Sequence, residues 1–80
     1  MATDDILKSI EDLAHEEHEL REREGQSSLS DEEKDRLVWL EERLDQCWDL
    51  LRQRRARISA GLDPDEAAVR SVNTVEHYQQ

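Results

Sequence analysis

The chain lacks most of what staples a small protein. Among its 80 residues there is one cysteine, one proline, two glycines, no phenylalanine, and only 4% aromatic residues. A lone cysteine excludes a disulfide within the chain and suits a reducing compartment. Cys47 falls on an apolar helix edge and reads as a small core residue. No stretch approaches the roughly 18 apolar residues of a membrane span. The opening Met1–Asp5 is acidic, the reverse of a secretory leader, so a cytoplasmic protein is expected. Positive charge is scarce as well: 11 basic against 21 acidic residues give a net charge of −10, which repels nucleic acid and anionic membranes over most of the surface. Apolar residues make up 35%, low for a core that must stand alone at this length, and oligomerisation is the usual remedy.

Helical periodicity dominates what remains. Leu37, Leu40, Leu44, Cys47, Leu51, Arg54 and Ile58 recur at alternating steps of three and four, one edge of a helix suited to left-handed packing. The preceding Ser30-Asp31-Glu32-Glu33 is a capping box with acids at the positive end of the helix dipole. Gly61 is expected to end this helix. An earlier helix is expected from about residue 4 to 24, with Ile6, Leu7, Ile10, Leu13, Ala14 and Leu20 as its apolar face, Thr3 as its N-cap and Gly25 as its stop. Asp63-Pro64-Asp65-Glu66 is a further start signal and predicts a short third helix over 64–70. The tail from 71 loses helical periodicity; its Val72, Val75 and Tyr78 either dock or fray.

The short connector 25–29 makes the two long helices antiparallel. Facing residues in such a pair have a constant sum, and one value fits: Leu20 with Leu37, Leu13 with Leu44, Ile10 with Cys47 and Ile6 with Leu51 all give 57. The same sum sets Glu17 opposite Leu40, where it could pair with Arg36 or Arg43, and Thr3 opposite Arg54. Asp4 and Asp5 then lie near Arg54 and Arg55. Helix 2 overhangs, leaving Ile58 uncovered unless something folds back. Leu7, Ala14, Val38, Trp39, Trp48 and Leu50 fall outside the seam, and burying two tryptophans calls for a second hairpin.

Candidate chemistry is weak. The histidines of His15-Glu16-Glu17-His18-Glu19 are three apart where a zincin helix needs four, and Asp12 stands where a di-iron Glu-x-x-His needs glutamate. A solvated polar face accounts for them, and no metal or cofactor is expected. Arg52, Arg54, Arg55 and Arg57 form a basic run without interleaved aromatics, better suited to a helix C-terminus than to nucleic acid.

The strings Glu17-His18-Glu19-Leu20-Arg21, Leu44-Asp45-Gln46-Cys47-Trp48-Asp49-Leu50-Leu51-Arg52-Gln53-Arg54-Arg55-Ala56-Arg57 and Asp63-Pro64-Asp65-Glu66-Ala67, with Val75-Glu76 and Tyr78 near the end, occur together. On them the chain resembles, over nearly its full length, a family of short bacterial proteins catalogued only as a domain of unknown function. The resemblance implies a small, cytoplasmic, mostly helical protein and brings no activity or cofactor. It draws attention to Gln46, Trp48, Asp49 and Gln53.

The expected fold is all-α: an antiparallel, coiled-coil-like hairpin over 1–62, and a short helix and tail over 63–80, in a single domain dimerising into a four-helix bundle. The expected function is non-enzymatic self-association, as a homodimer or with another protein, without membrane. The candidate interaction surface is Trp39, Gln46, Trp48, Asp49, Arg52, Arg54 and Arg55. The alternative is a regulatory binder of nucleic acid or a small anion through the basic run Arg52–Arg57.

Overall fold

A computed structural model describes the backbone of residues 3–79 and the side chains up to Val75; that of Tyr78 lies outside the described residues. Two long helices, α1 (Thr3–Gln26) and α2 (Asp31–Ser59), pack against each other, followed by a 3-10 turn (Pro64–Glu66) and a short helix α3 (Val72–Gln79). The molecule is a flat slab with extents of 49 × 25 × 17 Å.

The capping box at Ser30 is complete. The Glu33 amide donates to Ser30 Oγ at 3.2 Å, and the Ser30 amide donates to Glu33 Oε1 at 3.0 Å. At the far end Gly61 has φ +74°, Leu62 N–H donates to Arg57 O at 2.8 Å and Gly61 N–H to Ile58 O at 3.1 Å. This is a Schellman cap, in which a residue without Cβ takes the left-handed turn. Gly25 does not play that part. It lies inside α1, which runs on to Gln26, and no glycine except Gly61 has positive φ among the described residues.

The hairpin keeps the 57 register. Ile6, Ile10, Leu44, Leu50 and Leu51 form one buried cluster, and Leu20, Leu29, Leu37 and Leu40 form another. Leu13 touches both and joins them into one seam. Arg54 Nε donates to Thr3 Oγ1 at 3.1 Å, on the predicted layer. Leu29, in the connector, plugs the hairpin end and is 6% exposed. Leu7 and Ala14 lie outside the seam, and Ile58, on the overhang, is exposed. Ion pairs line the seam on either side: Glu16–Arg36 on one flank, Arg21–Glu41 on the other. Arg36 thus takes Glu16 rather than Glu17.

After Gly61 the chain departs from expectation. The Pro64 start signal yields one 3-10 turn, not a helix to residue 70. Arg54 Nη1 donates to Pro64 O (3.1 Å), Gln53 Nε2 to Ala68 O (2.8 Å) and Gln46 Nε2 to Arg70 O (3.1 Å). Side chains of α2 thereby occupy carbonyls that a helix would use for itself. The helix forms later, at 72–79, where Ser71 Oγ accepts from Thr74 N–H at 3.2 Å and Ser71 O from Val75 N–H at 3.0 Å. Ser71 is therefore an N-cap, a signal present in the sequence and masked by the weak periodicity after it. α3 packs on α2, with Val75 1% exposed.

Candidate functional site

The central motif of α2 and the Asp63-Pro64-Asp65-Glu66-Ala67 motif are partners. Gln46, Asp49, Gln53 and Arg57 follow steps of three and four along one stripe of α2, next to Arg54. Asp49 is 2% exposed; its Oδ2 accepts from Gln53 Nε2 at 2.9 Å and faces Arg70 Nε at 3.6 Å. Arg54, 7% exposed, reaches Asp65 Oδ1 at 3.0 Å as well as Thr3 and the Pro64 carbonyl. Its acid partner is Asp65, not Asp4 or Asp5. Arg57 pairs with Glu66 at 3.3 Å. The stripe holds residues 63–70 antiparallel to α2, through bonds to backbone and charge more than through apolar burial.

The expected interaction surface therefore divides. Asp49 and Arg54 are spent inside the molecule and are not an outward surface, and the half-buried Gln46 is tied to the Arg70 carbonyl. Trp39, Trp48, Arg52 and Arg55 remain outside. The two tryptophans are 39% and 42% exposed, and the roughly two and a half helical turns between them place them on opposite sides of α2. One partner laid on one face can cover only one of them.

On the Trp39 side, a groove of about 450 Å³ runs between α1 and α2. Leu13, Cys47 and Leu50 form its apolar floor, Ser9 and Asp12 its α1 wall, and Trp39, Arg43 and Gln46 its α2 wall, with Val69 reaching it from the extended segment. Trp39 lies under two guanidiniums, Arg36 at 4.3 Å and Arg43 at 4.9 Å from the ring centre. Arg36 is fixed by two bonds to Glu16, from Nε at 2.6 Å and from Nη2 at 2.9 Å. Hydrogen bonding to Arg36 holds the Glu16 carboxyl below its ordinary range. Reading along the sequence missed Arg36 and Arg43 as partners of Trp39; their spacing of three and four around it was the available signal.

Burial pushes the Cys47 thiol up, with Arg43 opposing it, so at neutral pH the groove floor carries a thiol rather than a nucleophilic thiolate. His15 meets Glu19 at 3.1 Å and His18 meets Glu22 at 3.0 Å, each on the exposed face of α1. Among the described residues no group of three or more His, Cys, Asp or Glu converges in a way that could hold a metal. A second hollow, of about 390 Å³, is walled largely by Glu16, Glu19, Glu22 and Arg23, with Leu20 its one apolar residue. Its solvated charges give a ligand little to desolvate against. No described helix is long and apolar enough to cross a membrane.

The motif strings thus have a structural meaning, and their family can be stated. The model for a protein of unknown function, DUF2630, matches residues 2–80. The chain belongs to the DUF2630 family. Proteins similar to this chain include uncharacterised proteins of Mycobacterium tuberculosis (strain H37Rv) and Mycobacterium bovis. Each is 48% identical over 75 residues, covering 92% of this chain and 86% of the relative. No solved structure matches the chain.

Proposed function

We propose that this DUF2630 chain is a non-enzymatic helical interaction module that works as a homodimer in the cytoplasm, two hairpins pairing into a four-helix bundle. The apolar groove beside Trp39 carries this reading. Its half-buried Leu13 and Cys47 continue the hairpin seam toward the surface, and the exposed Trp39 and Val69 at its rim leave apolar surface in water in a single chain. Chemistry-bearing groups elsewhere are already in structural use, as Asp49 and Arg54 illustrate. The lone, half-buried Cys47 fits a reducing compartment.

Binding of nucleic acid or a small anion through Arg52–Arg57 has less support. Arg54 is buried and Arg57 is paired with Glu66, so of the run Arg52 and Arg55 alone are exposed and without an ion pair among the described residues. Light scattering coupled to size-exclusion chromatography decides the main reading. Twice the chain mass at micromolar concentration is expected; a single-chain mass throughout that range would refute it.

A further inference from the structure

We propose that the groove face is covered by a second copy of this chain, related by a two-fold axis lying along the groove, with Asp12 of each protomer facing Arg43 of the other. The inference rests on the self-association reading and adds the face, the axis and the residues.

Charge selects the axis. The α1 wall of the groove carries Asp12 and the α2 wall carries Arg43. Two copies stacked face to face admit two kinds of two-fold. An axis across the groove lays α1 on α1, acid against acid and arginine against arginine. An axis along the groove lays each α1 wall on the partner's α2 wall, so opposite charges meet twice. The register then sets the height. With facing positions summing to 57, Asp12 is level with position 45, two residues from Arg43, or about 3 Å along the helix. An axis along the groove preserves height, so the two groups meet without any slide. It also sets α1 antiparallel to the partner's α2, giving four helices whose neighbours all run in opposite directions.

Both side chains are available. Arg43 stacks over Trp39, and no carboxylate pairs with it among the described residues. Asp12 meets Lys8 alone among the described residues, at 3.2 Å, in an exposed pair one turn away. The broad face, 49 × 25 Å, can supply the roughly 800 Å² per partner of a standard interface, and the apolar floor supplies its dry centre.

Sedimentation equilibrium on three full-length chains tests this. D12R sets two arginine pairs across the interface and R43D sets two aspartate pairs. Each is expected to weaken the dimer about ten-fold. An equimolar mixture of the two is expected to return to the wild-type affinity as a heterodimer. The arginine introduced in one variant then meets the aspartate introduced in the other, and the native pair forms on the opposite side. That heterodimer has the same total charge as the wild-type dimer, so recovery reports position and not net charge. Both substitutions are on exposed side chains, and circular dichroism of each variant checks that its hairpin is intact. Wild-type affinity in the single variants, or no recovery on mixing, overturns this arrangement; if the wild type is still dimeric, self-association stands on another face. A monomeric wild type overturns both.

Discussion

At Leu44 the cost of truncation is set by how little can refill the space. The side chain sits in the cluster with Ile6, Ile10 and Leu51, and both helices are held on either side by the rest of the seam. Leu44→Ala should lower stability by about 2–5 kcal/mol, while His15→Ala, on the solvated face, should change it by less than about 0.5 kcal/mol. Urea midpoints compare the two directly, and equal shifts would mean the inner face is misassigned. The glycines form a second contrast. Gly25 is helical with open space where a Cβ would go, so Gly25→Ala should stabilise by up to about 1 kcal/mol. Gly61 has equal space but φ +74°, so Gly61→Ala should destabilise by roughly 1–2 kcal/mol. Thermal unfolding of the two variants should move in opposite directions. Composition marks both as helix stops; only the backbone angle separates them.

At the scale of elements, α2 is tied at its start by a titratable group. The backbone bond from Ser30, followed by its side-chain bond and by Arg23, outweighs desolvation and holds the Glu33 carboxyl below its ordinary value of 4.5. A depressed folded pKa means that the contribution is complete above 4.5 and disappears as pH falls through the lower folded value. Helicity followed by circular dichroism should therefore fall in acid; Glu33→Gln should flatten that acid limb, and Ser30→Ala, which keeps the backbone amide, should cost about 1 kcal/mol at neutral pH through loss of the cap. The C-terminal segment is expected to open as a separate cooperative unit. Gln53 ties it by donating to both Asp49 and the Ala68 carbonyl, so Gln53→Ala should loosen residues 67–75 while the hairpin seam stays closed. Hydrogen exchange should show faster amides in that stretch alone; uniform acceleration would mean that hairpin and segment open together.

For the whole molecule, the net charge of −10 governs association. Two acidic slabs repel at long range, and salt screens that repulsion within about 10 Å at 0.1 M. Homodimer affinity should therefore rise between low and moderate salt, whereas anion or nucleic-acid binding through Arg52 and Arg55 should fall. Sedimentation across a salt series distinguishes the two by sign.

The sequence by itself determined the hairpin and its register. Steps of three and four name a helix edge, a short connector makes the pair antiparallel, and one sum aligns the layers, down to Arg54 beside Thr3. These follow from spacing along a line. The fate of the polar motif residues did not. Whether the Ala68 and Arg70 carbonyls are satisfied inside a helix or by Gln53 and Gln46, 15 and 24 residues away, depends on how the segment lies across α2. That placement also decided that Asp49 and Arg54 are buried braces and that α3 begins at Val72. Helical period is a local property of the chain, but a buried hydrogen-bond partner is chosen by distance in space, and only the folded arrangement sets that distance.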